Sequence, residues 1–286
     1  MNAPPLRPAG RGRQHLVERA VAAMGMSGGM GDSSAPPAAP LRPDPAPPAA
    51  SPPPARSTEA RAPEPIPREA LTALGLVVGS AHGARNRLAE EYSVIQHGVL
   101  RTVRATPSVD GRCGRIILVT SARPAEGKTF TSLNLAAALV QGSQRSVVLV
   151  DCDGKAGSLT DGLGLRDRPG LSCLAADPQS RALPALTPTA IPRLLVLGYG
   201  RTGRPGSQPA SALGAVLLRL ANAYPDHLFV LDTPPCLATA EASLLAPIAG
   251  QVVMVVQAQA TERAEVEAAL DLVDTCPNIQ LLLNRG

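Results

Sequence analysis

Aromatic side chains are scarce in this sequence, and their scarcity argues against one class of partner. The 286 residues include no Trp, two Phe and three Tyr, and the basic residues are dispersed along a chain with a net charge of only +4. Proteins that bind single-stranded nucleic acid stack bases on aromatic side chains along a basic groove. We therefore expect no nucleic-acid partner.

Long apolar runs and paired cysteines are also missing. No apolar run reaches the roughly 20 residues that a transmembrane helix needs without including a charge, and the N-terminus has no apolar signal-peptide region. The five cysteines contain no CxxC pair and no cluster with histidine. We expect a cytoplasmic chain with reduced thiols, no direct membrane span and no cysteine-based metal site.

Proline is distributed unevenly and predicts where the folded domain begins. Residues 1–68 hold 16 of the 30 prolines and almost no large apolar side chains. Such a segment cannot bury enough apolar surface to offset the entropy lost on ordering. We expect a disordered Pro/Ala-rich tail over 1–69, with a short helix possible at 14–24, followed by a single domain over 70–286.

Lysine occurs only twice, and one of the two stands in a loop of recognisable chemistry. The apolar run at 115–119 is followed by Thr120–Asn134, which contains Gly-Lys-Thr and leads into a helical stretch. A strand, a glycine-containing loop and a helix form a phosphate-binding loop, or P-loop. We expect Lys128 to reach the β- and γ-phosphates of a nucleotide and the Thr129 hydroxyl to bind Mg²⁺. The residues expected to contact the nucleotide are Ala122, Glu126, Gly127, Lys128, Thr129 and Phe130.

Strands and helices alternate through the rest of the chain. Apolar runs predict strands at 115–120, 146–151, 193–197, 227–232, 251–257 and 279–283. Helical patterns lie at 86–104, 129–141, 209–223, 239–248 and 261–275. This is the pattern of an α/β fold with a doubly wound, mostly parallel sheet, as in P-loop NTPases.

Acidic residues follow two of these strands. Asp151 and Asp153 follow the second strand, and Asp232 ends the fourth. Ligands bind at the carboxyl ends of the strands in such sheets, and a Mg·ATP site needs carboxylates for the metal. We expect Asp232 to hold Mg²⁺ or its water together with Thr129, and the pair Asp151 and Asp153 to serve the metal or to accept the proton of a hydroxyl. Asn284, at the end of the last strand, is either a contact to the adenine edge or a simple cap.

These motifs resemble the bacterial tyrosine kinases of capsule and exopolysaccharide systems. The matching stretches are ARPAEGKT at 122–129, VVLVDCDGK at 147–155 and FVLDTPP at 229–235. AEEYSVIQHGVLR at 89–101 and ATAEASLLAP at 238–247 look like the exosortase-associated subgroup. The resemblance implies ATP-dependent autophosphorylation on tyrosine, with Asp151 accepting the proton of the attacking hydroxyl. It also implies that Asp153 and Asp232 hold the metal, directly or through water. It also implies a membrane chain-length determinant, or polysaccharide co-polymerase, as partner at the inner face of the membrane, and possible homo-oligomers.

The sequence also departs from that family. It has no C-terminal tyrosine cluster, Glu90 is followed by Ser93 and Gln96 where the family has arginines, and Lys155 replaces an Arg. Two alternatives to the kinase therefore stay open. One is a regulatory ATPase of the MinD/ParA type, whose signature Lys is replaced here by Arg123, which we expect to be solvated. The other is an ATP-binding scaffold with weakened catalysis.

Overall fold

The structure is a computed structural model that describes residues 63–79, 87–109, 111–177, 186–200 and 210–285. The predicted tail helix at 14–24 and most of the predicted tail lie outside these residues. In chain order the elements are α1 (Arg68–Ala73), α2 (Arg87–Ala105), β1 (Cys113–Ser121), α3 (Lys128–Gly142), β2 (Ser146–Asp151), α4 (Leu159–Gly162), α5 (Leu171–Ala176), β3 (Thr187–Pro188), β4 (Leu194–Leu197), α6 (Ala210–Ala223), β5 (His227–Asp232), α7 (Glu241–Leu245), a 3₁₀ turn (Ala246–Ile248), β6 (Ala249–Gln257), α8 (Arg263–Asp271) and β7 (Ile279–Asn284).

One seven-stranded sheet forms the centre of the domain. Its strand order is β3-β4-β2-β5-β1-β6-β7, and every pair is parallel except β3 with β4. All six predicted strands are present, so the predicted doubly wound, mostly parallel sheet is confirmed. The two-residue strand β3 was missed, because a pair of residues leaves no periodic pattern to detect.

Helices cover both faces of the sheet, which explains why its strands are apolar throughout. Alternate residues of β1 belong to different cores: Ile116 and Leu118 pack beneath α5, α6, α7 and α8, while Ile117 and Val119 pack beneath α1, α2, α3 and α4. A strand that is buried on both faces has no polar side. Helix α2, within the helical pattern predicted at 86–104, buries Tyr92 and Val99 in the second core.

The ends of two predicted helices were wrong. Helix α7 stops at Leu245 and continues only as a 3₁₀ turn containing Pro247, and α8 ends at Asp271. The predicted domain start at residue 70 falls inside α1. Ile66 is 4% exposed, and its N–H donates to Pro188 O at 2.9 Å, so it extends the sheet beside Thr189. Ile66 was assigned to the predicted tail because the residues around it are rich in proline. Within the described residues, no helix has the length and apolar character to cross a membrane.

Candidate active site

The candidate site lies where five strands end along one edge of the sheet. Strand β1 sits between β5 and β6, and the loop after β1 leads into α3. Asp232 is paired in register with Val119 of β1 on one side and with Asp151 of β2 on the other. The parallel topology therefore brings the P-loop and both predicted acidic motifs together, as expected for a ligand site of an open α/β sheet.

The P-loop has the tight backbone that a phosphate cradle requires. Gly127 is the N-cap of α3 with a left-handed φ of 90°, and Ala125 also has a positive φ of 66°. A Cβ on Gly127 would lie 2.2 Å from Asn284 Nδ2, so this position has room for glycine alone. Helix α3 begins at Lys128 with no side-chain cap from the described residues. Its first N–H groups and the positive end of its dipole can therefore bind an anion.

The Glu126 side chain stabilises the P-loop through hydrogen bonds to neighbouring residues. Its side chain is buried, and its Oε2 accepts the Arg123 N–H at 2.8 Å. Its Oε1 accepts the hydroxyl of Thr261, from the loop between β6 and α8. Asn284 Nδ2 donates to the Glu126 carbonyl at 3.0 Å. The P-loop is thus hydrogen-bonded to the loop after β6 and to the end of β7. Thr261 gave no sequence signal, because its role depends on a contact 135 residues away.

The segment after β5 flanks the other side of the P-loop. Cys236 N donates to Ser121 O at 2.8 Å, and Leu237 N donates to Ala122 O at 3.2 Å. The Thr120 hydroxyl donates to Pro234 O at 2.9 Å. These contacts bury Ala122 completely. Its side chain is therefore part of the core, and only its backbone borders the loop.

Asp232 is buried among hydroxyl groups at the centre of the site. Its Oδ1 accepts the Ser132 hydroxyl at 3.1 Å, and Thr129 supplies a second side-chain hydrogen bond. Burial and, next, the charge of Asp151 raise the pKa of Asp232 to about 7, although the two hydroxyls and Lys128 act in the opposite direction. A carboxylate held in this way favours a nearby cation, which would restore the charged form.

Asp151 is held quite differently, by backbone N–H groups. Its Oδ1 accepts the Asp153 N–H at 2.9 Å and makes a longer contact of 3.5 Å with Gly154 N. Its Oδ2 accepts the Thr160 N–H at 2.7 Å. The residue is fully buried. In this structure Asp151 organises the turn that follows β2.

Asp153 is the more accessible member of the Asp-x-Asp pair. Its side chain is 16% exposed, and Lys155 Nζ forms an ion pair with its Oδ1 at 3.4 Å. Burial raises the pKa of Asp153, and the charges of Lys155 and Lys128 oppose that rise. The charge of Lys128 therefore acts on both Asp153 and Asp232.

Three other predicted residues have positions that refine their roles. The Phe130 side chain packs away from the loop, against Gly75 and 6.3 Å from the ring of Tyr92; only its backbone can contribute to anion binding. Asn284 holds the Glu126 carbonyl, as described above. Arg123 was predicted to be solvated; it is 54% exposed and forms an ion pair with Glu265 at 3.5 Å.

The residues present fit a magnesium ion bound together with a nucleotide. Asp153 Oδ1 is buried and, among the described residues, has no hydrogen-bond partner besides the ion-paired Lys155. Asp232 is a buried carboxylate beside the hydroxyl of Thr129. No three His, Cys, Asp or Glu side chains of the described ranges cluster closely enough to hold a metal alone. Mg²⁺ keeps several waters and is bound through few protein ligands plus substrate phosphates. The predicted ligands Thr129, Asp153 and Asp232 suit that mode.

Comparison with known proteins identifies relatives of one kind. No family model matches the chain. It is 33% identical over 161 residues to the tyrosine-protein kinase Wzc of Salmonella typhimurium, a stretch covering 56% of this chain and 22% of Wzc. It is 29% identical over 186 residues to the tyrosine-protein kinase YwqD of Bacillus subtilis, covering 63% of this chain and 75% of YwqD. The chain thus spans about a fifth of the length of the first relative and three quarters of the second.

Several solved structures share the fold of this chain. The kinase domain of VpsO matches with a TM-score of 0.52 and 26% identity, covering 71% of this chain and all of that one. The chimerical protein CapA2B2 matches with a TM-score of 0.57 and 22% identity, covering 77% and 98%. The kinase domain of Escherichia coli ETK matches with a TM-score of 0.53 and 21% identity, covering 70% and 77%. The relatives of this chain are bacterial tyrosine-protein kinases, which confirms the predicted resemblance. Its placement in the exosortase-associated subgroup stays a prediction.

Proposed function

We propose that this domain is an ATP-dependent protein-tyrosine kinase. One observation carries the proposal: at a single sheet edge the charge of Lys128 acts on both Asp153 and Asp232, and Thr129 makes a side-chain hydrogen bond to Asp232. Positioning and electrostatic stabilisation supply most of the catalysis in phosphoryl transfer. A regulatory ATPase needs the P-loop and Asp232. The additional acidic turn at Asp153, together with the identity to tyrosine-protein kinases, favours transfer to a hydroxyl.

Separate groups of residues bind the phosphates, the metal ion and the adenine in this proposal. Lys128 and the N–H groups at the start of α3 hold the β- and γ-phosphates, and Thr129, Asp153 and Asp232 hold Mg²⁺. Mg²⁺ neutralises the charge that develops on the phosphates. A cavity of about 610 Å³ lies at the ends of β6 and β7, and we propose that it holds the adenine. Its lining residues are Gln257, Ala258, Gln259, Leu283 and Arg285.

We propose that none of the three tyrosines in this sequence is the acceptor. Tyr92 and Tyr199 are 4% and 3% exposed, and Tyr224 packs against the core. These are all the tyrosines in the sequence, and a second copy of the chain would present the same rings, two of them buried and one partly buried. In the reaction a tyrosine oxygen bonds to the γ-phosphorus, the bond from that phosphorus to the ADP oxygen breaks, and the phenolic proton is released. We propose that a polysaccharide co-polymerase partner at the membrane supplies the tyrosine, in exopolysaccharide synthesis and export.

The test uses γ-labelled ATP with Mg²⁺ and a Glu/Tyr copolymer as acceptor probe. We expect phosphotyrosine on the copolymer, its loss in Lys128→Ala, and full activity in Arg263→Ala, a control on the exposed surface of α8. Release of inorganic phosphate without phosphotyrosine would identify the regulatory ATPase instead. Nucleotide binding with neither product would identify the scaffold. Unchanged nucleotide affinity in Lys128→Ala would contradict all three functions.

A further inference from the structure

The turn after β2 is held by a chain of hydrogen bonds that begins at Asp151. Both of its carboxylate oxygens accept backbone N–H groups, from Asp153 and from Thr160. Hydrogen bonds to an ionised acceptor are stronger than neutral ones, and a carboxylate buried without them would be costly. The segment from Asp153 to Thr160 is therefore fastened at both ends to one carboxylate.

Thr160 extends this chain to the neighbouring strand. Its hydroxyl oxygen accepts the Tyr199 N–H at 2.7 Å, just beyond β4. The ring of Tyr199 then lies against Gly154, where a Cβ would come within 2.5 Å of the ring carbons. Gly154 has a left-handed φ of 62° and directly follows Asp153. The hydrogen bonds of Asp151 and Thr160, together with the contact between Tyr199 and Gly154, thus hold the turn that contains Asp153. We call this set of contacts the Asp153 clamp.

We propose that Asp151 is a positioning residue: with Thr160 and Tyr199 it fixes the turn that presents Asp153, and it does not receive the proton of the acceptor hydroxyl. This inference rests on the proposed kinase function and changes the role that the family resemblance implied for Asp151. A proton acceptor must come within about 2.6–3.2 Å of the reacting hydroxyl. Both oxygens of Asp151 already accept backbone N–H groups, and the residue is 0% exposed. Among the described residues, Asp153 Oδ1 has no hydrogen-bond partner besides the ion-paired Lys155.

The first test needs no substrate and measures amide hydrogen exchange of the free protein. In Asp151→Asn the amide group places a donor opposite the Thr160 N–H, so we expect residues 152–160 to exchange at least about tenfold faster. In Thr160→Val the Tyr199 amide loses its acceptor, and we expect faster exchange at 198–200. Exchange that stays unchanged in both variants would overturn the clamp, whatever the Lys128→Ala result shows about the kinase.

The second test separates positioning from proton transfer, using variants that leave Asp151 in place. We expect Thr160→Val to lower kcat for tyrosine phosphorylation about tenfold, with KM for ATP changed less than about twofold, because Asp153 is misplaced. Thr160→Ser keeps the hydroxyl and should restore most of the rate. If Asp151 were the proton acceptor, Thr160→Val would be close to wild type and Asp151→Asn alone would lose about 10²–10⁴-fold.

A double variant completes this comparison. The effects of substituting two residues of one hydrogen-bond network do not add as independent free energies. We expect Asp151→Asn combined with Thr160→Val to be no more than about twofold slower than the slower single variant. Losses that multiply would overturn the proposal, because they would show that Asp151 acts separately from the clamp.

Discussion

Asp151 and Asp232 end adjacent strands at paired positions, and both are buried, but they are held by different kinds of group. Asp151 is bound by backbone N–H groups of its own turn, whereas Asp232 is bound by the hydroxyls of Ser132 and Thr129 on α3. Hydroxyls can rotate to donate elsewhere, and backbone amides cannot move without the chain. The comparison therefore distinguishes a carboxylate that shapes the fold from one that remains available for a cation.

The pH dependence of stability tests this difference most strongly. The pKa of Asp232 is about 7 in the folded protein, well above its value of about 3.9 in an unfolded chain. Between these values the folded state binds a proton that the unfolded state has released, so the free energy of unfolding falls as pH rises. We expect a loss on the order of 2–4 kcal/mol between pH 5 and pH 8, measured by urea unfolding without nucleotide.

Asp232→Asn should remove most of this pH dependence and make the free protein more stable than wild type at pH 8. Asp271→Asn, on the exposed surface of α8, is the matched control and should keep the wild-type slope. Mg·ATP should raise the stability of the wild type at pH 8 but not that of Asp232→Asn, since the variant lacks the metal ligand. If the free energy of unfolding had the same pH dependence in wild type and in Asp232→Asn, the raised pKa of Asp232 would not be its cause.

A glycine substitution tests the rigid side of the comparison. Gly154→Ala should lower the free energy of unfolding by about 2–3 kcal/mol, because an alanine at a φ of 62° is strained and its Cβ would press on the Tyr199 ring. Gly157 in the same turn has a φ of 80°, and a Cβ there would meet no atom of the described residues within 4 Å. Gly157→Ala should therefore cost only about 1 kcal/mol. Equal losses in the two variants would mean that the ring contact contributes nothing.

Ser132→Ala tests the hydroxyl side with a smaller effect. Its hydroxyl contacts Lys128 O at 2.9 Å and Asp232 Oδ1 at 3.1 Å. Removing a donor to the ionised form should raise the pKa of Asp232 further and lower stability by about 1–2 kcal/mol, mainly above pH 7. Ser143→Ala loses a similar bond to the carbonyl four residues earlier, which is not a contact to a carboxylate. A pH-independent loss in Ser132→Ala, equal to that of Ser143→Ala, would rule out the proposed effect on Asp232.

The sequence was sufficient to predict the sheet and the residue types at its edge, but not their partners. Apolar runs located six strands, and Gly-Lys-Thr located the P-loop, because both signals are local in the chain. The roles of Thr160, Thr261 and Asn284 depend on contacts between distant segments. Whether Asp151 faces a substrate or its own turn also depends on the path of residues 152–160. The spacing of apolar residues does not predict that path.

Arg123→Ala should have the smallest effect and bears on the ATPase alternative. Arg123 occupies the place of the signature Lys of MinD/ParA proteins, yet it is half exposed and paired with Glu265. An exposed ion pair contributes about 0–1 kcal/mol, less at high salt. We therefore expect a loss of stability below about 0.5 kcal/mol at roughly 0.5 M NaCl and no change in the rate of phosphate release. Arg263→Ala, which removes the exposed pair with Glu267, is the matched control. A large fall in phosphate release specific to Arg123→Ala would show that this arginine acts at the nucleotide as the signature Lys does, and would favour the regulatory ATPase.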